Sequence, residues 1–392
     1  MELPEGIDRD VIFRVADKQG TPTYVTSAAT VRDRFDSLRD VFPDARVQYA
    51  AKANTNPRIL RVLRERGAAL DTVSLGEVLA GQRAGFDGDE MMYTSYAPSP
   101  EELAAVLERG VLVNVDSPGQ METVVGAGAE RVGVRVNPGV GAGHSDEVVT
   151  GGKGARFGVS PEEAVELYER ALDAGVEPVC LHAHIGSGFL EPEPLVRATE
   201  RMCEVVEDLP VTPEYVDIGG GLGVPYRRDE DPLDVAALGE KVREAFDVDA
   251  KLVVEPGRYL VAESTVLVTR VNTVGDGVIG VDAGFNTLLR PAMYDAYHAV
   301  TNVSRDDDAP TGRYDVAGPV CESGDYLAHG RELAEPREGD LLAFHTAGAY
   351  GFVMASRYNS RPLPAEVMVD DGVEVVRDRE DIEEQFRNVK LD

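Results

Sequence analysis

The chain is poor in lysine, poor in cysteine and without any long apolar run. Only Lys18, Lys52, Lys153, Lys241, Lys251 and Lys390 carry an ammonium, and the other 33 of the 39 basic residues are arginine. Against 70 acids this leaves a formal net charge of −31, spread along the chain rather than gathered in a tail. Such a surface repels phosphate backbones and anionic lipid, which argues against a nucleic-acid or membrane-surface role. Dispersed acid with arginine as the preferred base is also the composition expected of a protein adapted to high salt. Three cysteines, Cys180, Cys203 and Cys321, form an odd set without metal-ribbon spacing, so neither a disulfide framework nor a metal site is expected. No apolar run approaches the roughly 18 residues of a membrane span. MELPEGIDRD lacks the basic and apolar regions of a signal peptide. A soluble cytoplasmic protein is expected, and 392 residues suffice for one large domain and a smaller one.

What is present is alternation. From about residue 28 to 262, helical patterns such as VRDRFDSLRDVF, PRILRVLRERG, LGEVLAGQRAGF, PEELAAVLERG, PEEAVELYERALDAG and LVRATERMCEVVEDL carry apolar residues at three- and four-residue spacing. Between them lie eight short apolar runs: RVQYAA, AALDTV, EMMYTS, VLVNV, RVGVRV, VCLHAH, YVDI and KLVVE. Eight strands alternating with helices predict an α/β fold, a (β/α)8 TIM barrel over residues 28–262. A doubly wound sheet is the alternative, but no Gly-x-Gly-x-x-Gly follows the first strand. After residue 263 the pattern changes to STVLVTRVNTV, GVIGVDAG, GRYDVAGP and DLLAFHTAG, which predicts a second, antiparallel β-domain over 263–392. VIFRVADKQGTPTYVT also reads as strand, so residues 1–27 are expected to join that domain, and RDDDAP (305–310) reads as an exposed loop.

Barrel chemistry sits where strands end, and here the strand ends carry the unusual residues. The first ends in Lys52, the second carries Asp71, and the fifth runs into Asn137-Pro138. The sixth carries His182 and His184 into IGSG with Ser187; the seventh opens into Gly219, Gly220 and Gly221; the eighth ends Glu255-Pro256-Gly257-Arg258. A glycine triplet alone is usually a plain connector. Placed after strand seven, beside Arg258 and Ser187, it reads as a phosphate cradle, because barrel phosphate sites recur there. Alone, Glu255 would read as a buried acid paired with Arg258, Lys52 as half of an ion pair, and His184 as a core histidine. Together, an amine, a phosphate cradle, a carboxylate and a flat imidazole match the needs of pyridoxal 5'-phosphate.

At this point the chain resembles the alanine-racemase-like, fold type III pyridoxal-phosphate decarboxylases. The resemblance rests on YAAKANTN, LDTVSLGE, RVNP, TGGKGARFG, HAHIGSG, DIGGGLG, EPGRYLV, LLRPAMYDAYH, GPVCESGDYLA and GAYGFVMASRYNSRP, in family order over nearly the whole chain. It implies decarboxylation of a diamino acid, meso-2,6-diaminopimelate to L-lysine, by a homodimer with shared active sites. Ornithine, arginine and carboxynorspermidine are the alternative substrates. Residue by residue, the resemblance implies that Lys52 holds the cofactor covalently and His184 stacks on its ring. Ser187, Gly219 to Gly221, Gly257 and Arg258 would surround the phosphate, with Asp71 nearby and Glu255 on the ring nitrogen. Arg258 would also reach the substrate. Arg290, Tyr294 and Glu322 would hold the substrate's distal end, Tyr350 would touch cofactor and substrate, and Cys321 would return a proton to Cα from the second subunit. The chain departs from the family pattern at TSYAPSPEEL, which replaces a Gly-Asn-x-Lys-Ser type segment, and at Arg357, where asparagine is usual.

Overall fold

The computed structural model describes residues 2–141, 156–305 and 308–390. Contacts divide the chain into two compact units. One comprises Arg32–Val224 and Asp231–Leu260, the other Met1–Val31, Pro225–Glu230 and Val261–Asp392. The strands begin with β1 (Thr23–Ser27), which belongs to the second unit. All eight strands expected in the first unit are present: β2 (Arg46–Ala50), β3 (Ala69–Thr72), β4 (Met91–Thr94), β5 (Leu112–Val115), β6 (Arg131–Arg135), β7 (Glu177–His182), β8 (Tyr215–Asp217) and β9 (Lys251–Val254). They pair in parallel in chain order, and β9 bonds back to β2, closing the barrel. They are buried almost without a break rather than alternately, because barrel interior and helices cover both faces.

The helices start where the chain supplies caps. Ser99, Ser117 and Ser160 each stand before a proline and accept a hydrogen bond from the backbone N–H three residues on. Proline at the first helical position loses nothing, since its missing N–H would have had no intrahelical partner. Two helices not marked by the apolar spacing, Pro118–Gly126 and Val235–Ala245, follow the same logic and are capped by Ser117 and Asp234.

The second unit is built on a nine-stranded sheet. Its strands beyond β1 are β10 (Thr265–Val274), β11 (Val278–Val281), β12 (Val300–Asn302), β13 (Gly312–Ala317), β14 (Tyr326–Leu333), β15 (Leu341–Phe344), β16 (Ala365–Val369) and β17 (Val373–Arg377). The order is β14-β13-β11-β10-β1-β16-β17, with β15 bonded to β10 and β12. Most pairs are antiparallel, as the alternating runs suggest, but β1–β16 and β11–β13 are parallel, so the sheet is mixed. Both of its faces are buried. Tyr24, Leu267, Leu342 and Phe344 pack on one, and Val25, Val266, Val268, Ala343 and Val367 on the other.

The helix Arg9–Gln19 covers that second face with Val11, Ile12, Val15 and Ala16. This corrects the expectation of strand over residues 11–26, which holds only for β1. The β-branched content of VIFRV suggests a strand, but Asp8 caps the segment by accepting from the Val11 N–H at 2.8 Å, and burial at i, i+1, i+4 and i+5 completes a helix. Residues 306 and 307 of the expected RDDDAP loop lie outside the described residues, and Asp308 to Pro310 are exposed. Among the described residues no helix is long and apolar enough to cross a membrane.

Candidate active site

At the C-terminal rim of the barrel, β2 passes into a single turn, Ala51–Ala53, that places Lys52. Its Nζ lies 3.5 Å from Oδ2 of Asp71, at the level of β3; the lysine side chain is 32% exposed and the aspartate only 2%. Burial pushes the Asp71 carboxyl up to about 7, with Glu255 adding to the rise and Lys52 opposing it. Glu255 follows β9 and is fully enclosed. Burial alone would raise its pKa, but the His182 ring, then Lys52 and His184, outweigh that and hold it down at about 2. Its Oε2 stands 3.3 Å from His182 Nε2. The acid pairs with this histidine across β8 rather than with Arg258, three residues along.

A third acid, Asp217 at the end of β8, accepts from Gln48 Nε2 at 3.1 Å and from the Gly219 N–H at 2.8 Å. Burial, then the Glu255 charge, drives its pKa well above the usual carboxylate range. Three buried carboxyls therefore share one mouth, and Glu255 is the one whose pKa is held down. Burial lowers the pKa of the Arg135 guanidinium, at the end of β6, and the charges of Glu255, Asp116, Asp71 and Asp217 oppose that fall. Burial, and next the Lys52 charge, hold the His184 imidazole well below its usual pKa. Its Nδ1 accepts from the Gly220 N–H at 3.3 Å, which assigns its hydrogen to Nε2.

The glycine triplet cannot be anything else. Gly219 and Gly221 have φ of +73° and +98°, and a Cβ on Gly220 would stand 1.9 Å from the Glu255 carbonyl oxygen. The loop is tied to the sixth strand's loop by the Gly188 N–H donating to Gly221 O at 2.7 Å. Ser187 Oγ accepts from Arg258 Nη2 at 3.2 Å, and Arg258 is buried at the start of the short helix Arg258–Val261. Gly257 packs where a Cβ would lie 3.1 Å from that of Ala50. A phosphate would meet a guanidinium, a hydroxyl and a bare backbone here. Gly220→Ala should weaken pyridoxal-phosphate binding about tenfold or more in equilibrium dialysis and lower the melting temperature, because backbone, not a flexible side chain, must move. Unchanged affinity would show that the cradle does not hold the cofactor.

Two more buried atoms test the fit. Glu255 Oε1 and Asp71 Oδ1 have no hydrogen-bond partner among the described residues. An enclosed, ionised carboxylate with one oxygen bonded and one unsatisfied is what a protonated ring nitrogen requires. The barrel residues expected from the sequence, Lys52, Asp71, His184, Ser187, Gly219 to Gly221, Glu255, Gly257 and Arg258, all lie at this one mouth and fit the group. His182 was noted at its strand end without a role; Asp217 and Arg135 were missed altogether, although each is a charged or titratable residue closing an apolar strand.

The remaining expected residues lie in the second unit. Arg290 and Tyr294 open and close the short helix Arg290–Tyr294. Arg290 is buried, donates from Nη1 to His298 Nε2 at 3.0 Å, and stands 4.5 Å from the centroid of the Tyr226 ring. Cys321 and Glu322 are exposed on a loop stapled by Asp325, which accepts from the backbone N–H groups of Phe285 and Val320. Asn359 accepts from the Cys321 N–H, and the Tyr358 hydroxyl donates to Glu322. Tyr350 sits in the loop after β15 with φ of +56°. Arg357, the departure noted above, bonds to Glu380 at 2.6 Å on the surface. Residues 150–155 of TGGKGARFG lie outside the described residues.

The pyridoxal binding domain of the pyridoxal-dependent decarboxylases matches residues 28–262. A diaminopimelate decarboxylase of Methanothermobacter thermautotrophicus is 45% identical, covering 95% of this chain and 92% of its own. One from Archaeoglobus fulgidus is 39% identical over 94% and 93%. The crystal structure of the Helicobacter pylori diaminopimelate decarboxylase complexed with L-lysine superposes with a TM-score of 0.91 at 32% identity, covering 96% of this chain and 98% of that one.

Proposed function

The chain belongs to the pyridoxal-dependent decarboxylases, and we propose that it releases CO2 from meso-2,6-diaminopimelate to give L-lysine, the last step of lysine biosynthesis. The observation that carries the chemistry is one mouth that holds Lys52 beside Asp71, a half-satisfied Glu255 carboxylate and a glycine cradle. Bound pyridoxal phosphate supplies the electron sink that lets a carboxylate leave Cα.

The protein's residues do the rest. Lys52 supplies the amine that anchors the cofactor. Gly219 to Gly221, Gly257, Ser187 and Arg258 bind the phosphate. Glu255 would accept from the ring N–H of the bound cofactor and so keep that proton in place. His184, fixed by Gly220, would wall the ring, and Asp71 pairs with Lys52 until the cofactor takes that amine. Arg290 suits the distal carboxylate by bidentate pairing, Glu322 the distal ammonium, and Tyr294 and Tyr350 complete the hydrogen bonds. Arg258 also faces the substrate, and the Cys321 thiol returns a proton to Cα. The exposure of Cys321 and Glu322 supports their serving a second copy of the chain, in a homodimer with shared sites. The dispersed charge of −31 supports a cytoplasmic enzyme that works in high salt.

A panel of diaminopimelate, ornithine, arginine and carboxynorspermidine, assayed for CO2, tests the substrate. Diaminopimelate should lead in kcat/KM by about a hundredfold or more, since only it offers a distal carboxylate to an arginine. An equal or faster release from ornithine would overturn the assignment.

A further inference from the structure

His182 is used by no step above, yet it is one of the least exposed polar residues of the barrel. The strand register explains where it sits. Across neighbouring parallel strands His182 pairs with Asp217, and Asp217 pairs with Val253. Glu255 is two residues beyond Val253, one repeat of the pleat, and so returns toward the same side of the sheet. The two side chains reach each other across β8, with Nε2 3.3 Å from Oε2. An ionised carboxylate only accepts, so Nε2 carries the hydrogen. The other nitrogen, Nδ1, is buried without a partner among the described residues, as is Glu255 Oε1. The histidine therefore spends its single N–H on one oxygen of Glu255 and leaves the other for a ligand.

We propose that His182 is a positioning residue that fixes the Glu255 carboxylate through Oε2 and presents Oε1 to the ring nitrogen of the cofactor. The inference rests on the proposed function, because it concerns how this mouth grips pyridoxal phosphate. His182 itself touches neither the cofactor nor the reacting atoms; it acts through Glu255. Burial lowers the pKa of the His182 ring, and the Glu255 charge opposes that fall.

The experiment compares two ligands in the wild-type protein, H182F and H182Q. One is pyridoxal phosphate, and the other is its analogue with C–H in place of the ring nitrogen, which Glu255 cannot pair with. Wild type should bind pyridoxal phosphate about tenfold or more tighter than the analogue, the scale of a hydrogen bond to a charged group. H182F keeps a flat ring but no donor, and should collapse that ratio toward one by weakening pyridoxal phosphate alone. H182Q, whose side-chain amide restores an N–H near the Nε2 position, should keep the ratio within about threefold of wild type. A merely structural role predicts that both affinities fall together with the ratio preserved, and that outcome overturns the proposal. If H182F fails to fold, H182Q decides alone: a collapsed ratio there refutes the N–H as the operative feature. If wild type binds pyridoxal phosphate with no covalent link to lysine, the proposed function fails and this inference with it. Normal cofactor loading with an unchanged ratio in H182F sinks only the inference.

Discussion

Lys52→Ala should remove the absorbance band of the lysine imine from the pyridoxal-phosphate-loaded protein, leaving only that of the free aldehyde, and lower kcat for CO2 release at least about a thousandfold, the scale of losing a covalent catalyst. Borohydride reduction of the loaded wild type should fix the cofactor on the peptide containing Lys52, and no other peptide should be labelled. The fold should survive the change. The Lys52 side chain is a third exposed, so its removal opens little cavity. Its partner Asp71 has a carboxyl pushed up to about 7 by burial, with Lys52 pulling the other way. Without the lysine that opposition vanishes, and Asp71 stays protonated at neutral pH instead of becoming an uncompensated buried charge. The melting temperature should therefore move by no more than a few degrees. The cradle, Arg258 and Glu255 remain, so the variant should still bind the cofactor reversibly. A variant that retained covalent cofactor after dialysis would place the anchoring amine elsewhere; among the described residues, none of the other lysines, Lys18, Lys241, Lys251 and Lys390, ends a barrel strand.

The barrel was legible because its physics is written locally. A parallel strand covered on both faces is mostly apolar rather than alternating, and a Ser-Pro step before an apolar-periodic run marks a helix start. The positions of Lys52, Glu255 and the glycine triplet follow from the strand ends alone. What was not legible is register. The partner of Glu255 lies 73 residues away in the chain, and nothing in VCLHAH or KLVVE says that His182 and Glu255 share a level. The nearer arginine, Arg258, was the natural partner by sequence, but it belongs to Ser187. Asp217 went unremarked for a similar reason. YVDI reads as an ordinary strand, and only closure of the barrel shows that its acid supports Gly219 and stands beside a second buried carboxyl. The N-terminal helix was misread from β-branched content, although Asp8 offered a cap signal that outweighs it.

Arg290→Ala should lower kcat/KM for diaminopimelate about a hundredfold or more, the scale expected when one partner of a close charge pair is truncated. Most of the loss should fall on KM, because a distal carboxylate is bound alike before and during bond breaking. The side chain is held for such a task. His298 donates its Nδ1–H to the His345 carbonyl at 2.9 Å, which leaves Nε2 free to accept from Arg290, and the Tyr226 ring lies against the guanidinium. Two neighbours thus orient a planar fork, and what they orient is a guanidinium rather than a charge in general. Arg290→Lys should therefore recover little, since an ammonium supplies the charge without the bidentate geometry. Selectivity gives the sharper reading. Ornithine has no distal carboxylate, so its weak turnover should change little in Arg290→Ala, and the preference for diaminopimelate over ornithine should shrink by nearly the whole factor lost. Equal losses for both substrates, at an unchanged melting temperature, would mean that Arg290 shapes the site without reading the carboxylate.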